Sequence, residues 1–228
     1  MVHGAFSCNP KGPAEWSYTV ATGPGVIGGD IRLIKRAIDI VLGATAFVVL
    51  LPVLAVLAIV VRVGLGSPIL FRQDRIGLNG SVLRITKFRT MTDDRDAEGD
   101  LLPDADRLTG LGRKLRAWSL DELPELLDVL RGDMSLVGPR PLPVRYRDRY
   151  SPTEWRRHEC KPGITGWAQV NGRNALSWPE KFALDVWYVD NQSVALDFKI
   201  LLLTLQEVVT RRGINSDEHA TMPEFLGE

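Results

Sequence analysis

From Ile40 to Val61 the chain carries no charged residue, and a proline stands in the middle: IVLGATAFVVLLPVLAVLAIVV. At about 1.5 Å of rise per residue, a helix of this length would cross the roughly 30 Å hydrocarbon core of a bilayer. No other segment is comparably apolar. Pro52 complicates a simple span. A proline inside a helix removes one backbone bond and clashes with the preceding turn, at a cost of about 3 kcal/mol. In lipid the freed carbonyl must find another partner. The outcome is either a kinked span or a helix that breaks and leaves by the side it entered. Lys35 and Arg36 precede the run, and Arg62, Arg72 and Arg75 follow it. Basic flanks favour the cytoplasmic side, and here both flanks are basic. The expectation is a re-entrant membrane helix over residues 31–66, hinged at Pro52, with Lys35, Arg36 and Arg62 as interface anchors.

The rest of the 228 residues suffices for one cored domain, residues 67–228, preceded by a loosely ordered extension, residues 1–30. Net charge is zero, so no global field draws the chain to nucleic acid. Locally the balance differs: Ile31 to Thr90 holds nine Lys/Arg against two Asp/Glu. A basic belt around an apolar insert suits an anionic membrane surface and phosphate-bearing substrates. Cys8 and Cys160 are too few for a disulfide framework, which fits a reducing compartment. The apolar run starts too late for a secretory signal.

Residues 69–90 read as a β-hairpin, with ILFRQ and SVLRITKF as strands and Asn79-Gly80 as the turn. Lys87 and Arg89 alternate with Phe88 and so share a strand face. Residues 93–106 form an acidic loop. In residues 113–141 Leu123, Leu126, Leu127 and Leu130 make a helical stripe that ends at Gly132, with Ser119 and Glu122 at capping-box spacing. Ser151-Pro152-Thr153-Glu154 and Ser177-Trp178-Pro179-Glu180 open two further helices around a Gly-rich loop, 162–174. An amphipathic helix, suited to the core or to a membrane interface, runs from Leu196 to Arg211 and ends at Gly213. The fold class expected is mainly α with a small β-hairpin, α+β, on a monotopic membrane anchor.

Asp121 and Glu122 stand together at a helix start. Capping and the helix dipole explain such a pair on their own. Their company argues for more: Arg113, Lys114 and Arg116 precede them, Arg140 follows the helix, and Lys87, Arg89 and Arg173 lie in other polar segments. Carboxylates among many cations suit a divalent metal and a phosphate-rich substrate. A carboxylate held ionised there could attack phosphorus, while its neighbour, about 100° round the helix, holds metal or a proton. His3, His158 and His219 have no ligand spacing. A non-catalytic membrane-associated protein, and an enzyme without a covalent step, remain alternatives on these residues alone.

KFRTM, SLDELPELLDVLRGDMSLVGPRP and KPGITGWAQVNGRN, after the basic-flanked apolar run with its proline, together resemble the bacterial monotopic phosphoglycosyl transferases. The likeness covers residues 32–228 and is closest to the small single-domain members, among them those acting on undecaprenyl phosphate and UDP-N,N′-diacetylbacillosamine. It implies transfer of a sugar 1-phosphate from a UDP-sugar to a polyprenol phosphate, with release of UMP, at the cytoplasmic face of the bacterial inner membrane. It implies that Asp121 is the nucleophile of a phosphosugar-aspartyl intermediate, and that Glu122 assists with Mg²⁺ or proton transfer. The phosphate-binding positions implied are Arg116 and Arg140, with Lys87, Arg89, Arg173 and Asp185 as further site members. Leu51 stands where the family often has Ser before the proline. Substrates and membrane lipid are the partners expected; a homodimer is admitted, and the sugar is not readable.

Overall fold

A computed structural model describes residues 29–172, 175–210 and 224–227. The expectations for the N-terminal extension, for Arg173 and for the helix end at Gly213 lie outside the described residues.

The apolar run forms a single helix, α1, Gly29–Leu65, continuous through Pro52. By length and composition it is able to cross a membrane. Its outward face is uniformly apolar: Val41, Val48, Val49, Val56, Ile59 and Val63 are all exposed. Its inward face packs on the domain along both halves. Ala46, Phe47 and Leu50 join a core built on Leu126, Val129, Met134, Leu136, Tyr188 and Ile200. Leu54, Leu57, Ala58, Val61 and Leu65 join a second core with Phe88, Leu115 and Leu123.

The charged start of α1 is tied down by the domain. Lys35 Nζ donates to Asp197 Oδ2 at 2.5 Å and to Val137 O at 3.0 Å, with side chains only 13% and 9% exposed. Arg36 donates to the carbonyls of Val129 and Leu130, at 2.6 and 2.7 Å. Those are among the last carbonyls of the helix Leu126–Arg131, which lack intrahelical partners. Asp39 accepts from Ser135 Oγ and Leu136 N, both at 3.0 Å. At helical spacing Asp39 could have paired locally with Lys35 or Arg36; instead all three side chains bond to residues far along the chain.

Strands β1 (Leu70–Ile76) and β2 (Val82–Phe88) form the expected antiparallel hairpin. Asn79 and Gly80 take the positive φ that the turn requires, 53° and 78°. Helix α2 (Asp104–Arg107) closes the acidic loop, and α3 (Gly110–Ala117) starts on a Thr109 cap. Leu120–Glu125 is a 3₁₀ turn that runs into α4 (Leu126–Arg131), which stops at Gly132 with φ 96°. The capping box expected of Ser119 and Glu122 is not made. Ser119 is itself left-handed, φ 53°, and its side chain caps nothing, because Pro124 shifts the regular helix downstream.

Two strands in the Gly-rich motifs had no sequence signal. β3 (Ser135–Val137) pairs in parallel with β4 (Gly163–Thr165). Around them the backbones of Gly138, Gly163 and Gly166 touch. A Cβ on Gly163 would lie 2.1 Å from Gly138 N, and one on Gly166 would lie 2.2 Å from Gly138 O. Helices α5 (Pro152–Trp155) and α7 (Trp178–Asn191) carry the expected capping boxes, at Ser151/Glu154 and Ser177/Glu180. Between them lies α6 (Trp167–Val170), and α8 (Val194–Thr210) follows. Phe198, Leu202 and Leu205 of α8 are exposed, which extends the apolar surface of α1.

Candidate active site

The hairpin register decides which of its side chains meet the dyad. Phe71–Lys87, Gln73–Ile85 and Arg75–Leu83 are cross-strand pairs on one face; Arg72–Thr86 and Asp74–Arg84 lie on the other. The first face turns inward, since Leu83 and Ile85 are core residues, and it carries Lys87 to the 3₁₀ turn. Lys87 Nζ donates to Glu122 Oε1 at 2.6 Å and lies 3.3 Å from Glu125 Oε1. Arg140, delivered by the loop after β3, donates to both oxygens of Glu122, from Nη1 to Oε2 at 3.1 Å and from Nη2 to Oε1.

Glu122 is thus held from two sides by cations. Burial alone would raise its carboxyl; Arg140 and Lys87 overcome that and hold it well below the usual range. Asp121 is different. It is buried, yet its carboxylate accepts no hydrogen bond among the described residues. Burial, reinforced by the charge of Glu122, raises its pKa above the ordinary value, against the pull of Lys87, Arg140 and Arg116. The arrangement is one anchored carboxylate beside one bare and more basic carboxylate, within a ring of cations.

Of the other expected members, Arg116 donates from Nε to Thr90 Oγ1 at 3.1 Å and faces Asp121 through its charge alone. Arg89 does not join: its guanidinium donates to Ser67 O and Met91 O and pairs with Asp93 at 2.8 Å. Asp185 does not reach the dyad either. It is buried against Arg157, at 2.7 and 3.0 Å, and Arg157 in turn donates to the Arg140 carbonyl at 2.7 Å. Asp185 and Arg157 are therefore linked to Arg140 through its backbone carbonyl. Arg157 and Glu125 are site members that sequence reasoning missed. Glu125 was findable, since it follows Glu122 at the i, i+3 spacing of helical neighbours. Burial, partly offset by Lys87, pushes its carboxyl up to about 7.

His158 has no acid–base role in this geometry. It is buried beneath Tyr150 and Trp155, and burial pushes it down to about 3. A cavity of about 600 Å³ lined by Arg72, Arg84, Arg131, Asp133 and Lys161 opens on the outer hairpin face, and no dyad residue lines it.

Among the described residues no three His, Cys, Asp or Glu side chains are grouped to hold a metal ion. Mg²⁺ in phosphoryl-transfer sites needs only one or two carboxylates, the rest coming from substrate oxygens and water. Bare Asp121 fits that mode. Both oxygens of Glu122 are already engaged, so Asp121 is the candidate ligand of the two.

A family model described as "Bacterial sugar transferase" matches residues 31–211. A Bacillus subtilis relative, "Uncharacterized sugar transferase EpsL", is 53% identical over 199 residues, covering 86% of this chain and 96% of the relative. The "UDP-glucose:undecaprenyl-phosphate glucose-1-phosphate transferase" of Caulobacter vibrioides is 39% identical over 209 residues, covering 87% and 78%. The Escherichia coli protein of the same name is 40% identical over 192 residues, covering 78% of this chain but only 41% of that longer relative.

Proposed function

The chain belongs to the bacterial sugar transferase family, and from that premise we propose that it transfers a sugar 1-phosphate from a UDP-sugar to undecaprenyl phosphate. UMP is released and an undecaprenyl-diphospho-sugar remains in the membrane. The names of the Caulobacter and Escherichia relatives support this donor and acceptor class.

The observation that carries the mechanism is the contrast within the dyad. Glu122 is immobilised by Arg140 and Lys87, whereas Asp121 has no hydrogen bond among the described residues to break before it reacts. In the proposed sequence an Asp121 oxygen bonds to the sugar-bearing phosphorus. The bond from that phosphorus to the bridging oxygen breaks, and UMP leaves with the electron pair. An oxygen of undecaprenyl phosphate then attacks the same phosphorus and frees Asp121. Lys87, Arg116 and Arg140 offset phosphate charge throughout. Mg²⁺ would be held by Asp121 and diphosphate oxygens, and would supply further charge neutralisation.

The membrane arrangement proposed is re-entrant, with α1 bent at Pro52 rather than interrupted there, and with the catalytic domain on the cytoplasmic face of the inner membrane. Lys35, Arg36 and Asp39 at one end of α1, and Leu57, Val61 and Leu65 at the other, all meet the same domain. That supports both helix ends lying on the side of the domain. In this proposed arrangement the dyad would lie at interface depth, where a lipid-anchored phosphate and a water-soluble nucleotide sugar can meet.

Two experiments test the reading. A UDP-sugar panel assayed with undecaprenyl phosphate should give UMP release for at least one donor, and labelled sugar phosphate should become covalently trapped on the wild type but not on Asp121→Asn. Full turnover by Asp121→Asn would refute the nucleophile. Cysteines at exposed Arg32 and Arg62 should label from one side only; labelling from opposite sides would refute the re-entrant path.

A further inference from the structure

Arg75 shares the inner face of the hairpin with Lys87. Its stretch of β1 is joined to the segment just after Arg140: Ile76 N donates to Leu142 O at 3.0 Å, and Arg75 itself bridges to Pro143. A guanidinium carries five N–H donors. Here one Nη2 hydrogen reaches Gln73 Oε1 at 2.5 Å, while Nε is buried and has no partner among the described residues. No carboxylate lies within ion-pair distance of Arg75 among the described residues.

The surroundings make this isolation informative. Burial first, then the charges of Arg140 and Arg145, push Arg75 down to about 10, against the opposing pull of Glu125 and Glu122. Of the two carboxylates that act on Arg75, Glu122 is held by Arg140 and Lys87, and Glu125 lies 3.3 Å from Lys87. Positive charge is therefore in surplus on this side of Arg140, and a half-buried cation without a counter-charge weakens the fold that holds it. Such a group is compensated when a ligand brings the missing acceptors.

We propose that Arg75 is a phosphate-binding residue, and that with Arg140 it forms a two-guanidinium cradle for the diphosphate of a nucleoside diphosphate sugar. The proposal rests on the transferase reading and deepens it. Two guanidiniums suit two adjacent phosphates: the Arg75 fork can engage two oxygens at once, while Arg140, held on Glu122, contributes its charge and its remaining N–H groups. Gln73 fixes one edge of the Arg75 fork and leaves the others for the ligand.

The full chain in lipid nanodiscs provides the test, with UDP and UMP as probes. Arg75→Gln should weaken UDP binding roughly tenfold to a hundredfold, the loss expected for hydrogen bonds to a charged group. It should weaken UMP far less, so the preference for UDP over UMP collapses. Arg75→Lys should recover part of that preference. Without ligand, Arg75→Gln should melt at or above the wild-type temperature, because an uncompensated cation is gone. Unchanged UDP affinity, or a lower melting temperature with the UDP preference intact, would overturn the cradle while leaving the transferase reading standing. Wild-type protein that neither binds UDP nor releases UMP would overturn both.

Discussion

Arg140 grips Glu122 with a two-pronged hold, one guanidinium nitrogen on each carboxylate oxygen, while Lys87 closes from the other side. The hold is only as good as its geometry. Arg140→Lys keeps the charge and loses the fork. We expect it to lower kcat/KM on the order of a hundredfold, as removal of one preorganised charge-stabilising donor does. Glu122→Gln should cost about as much. The double variant should be little worse than either single one, because the two side chains act as a unit. Steady-state UMP release decides it; additive losses would mean that the two residues work independently.

The glycine contact behind Arg140 predicts a second effect. A methyl on Gly163 would press into Gly138 N at 2.1 Å, against backbone that cannot yield. Gly163→Ala should destabilise the protein by about 1 to 3 kcal/mol and lower turnover by displacing the loop that delivers Arg140. Gly43→Ala is the contrast. Its methyl would meet Leu130 at 3.5 Å, an ordinary contact, and it should leave both melting temperature and turnover near the wild-type values.

Glu125 gives a pH dependence. Its carboxyl moves from an ordinary value of 4.5 up to about 7, chiefly through burial. The folded state therefore binds more protons than the unfolded state between those values, and stability falls as pH rises through that window. Below 4.5 the group is neutral in both states and costs nothing; above 7 its charge is fully unfavourable. Glu125→Gln should flatten this slope, raising the melting temperature at pH 8 and leaving it unchanged near pH 4. A variant that lowers the melting temperature equally at both values would contradict the assignment.

Lys35 and Asp197 are a buried pair joining α1 to α8. Removing either charge strands the other. Lys35→Met or Asp197→Asn should each cost about 3 to 5 kcal/mol. Lys35→Met with Asp197→Leu should cost less than the worse single change. Denaturant titration in detergent or nanodiscs measures all three.

Much of this architecture was legible because it is written locally. Period-two alternation and Asn79-Gly80 define the hairpin, and Ser151/Glu154 and Ser177/Glu180 set two helix starts through contacts three residues apart. What was not legible depends on partners far along the chain. β3 and β4 are three residues each, too short to show a period, and they exist because three glycines let distant backbones touch. Arg89 and Lys87 look equivalent in sequence; only the end of β2 turns one toward Ser67 O and the other toward Glu122. Ser119 and Glu122 have the spacing of a capping box, but a proline two positions after Glu122 replaces the first helical turn with 3₁₀ geometry. The cationic company of Asp121 and Glu122 is visible in the sequence, while their division into a held and a bare carboxylate depends on Lys87 and Arg140, far from them in the chain.

Lys35 and Asp197 are 162 positions apart in the chain. A ribosome adding roughly 5 to 20 residues per second needs on the order of ten to thirty seconds to travel that far. Throughout that interval the nascent α1 already exists, apolar and ready for lipid, while the ammonium at its start has no Asp197 to meet. The order of synthesis thus puts the anchor first and its lock last. Chains that stop short of α8 would carry the long apolar helix with an unmatched ammonium at its base.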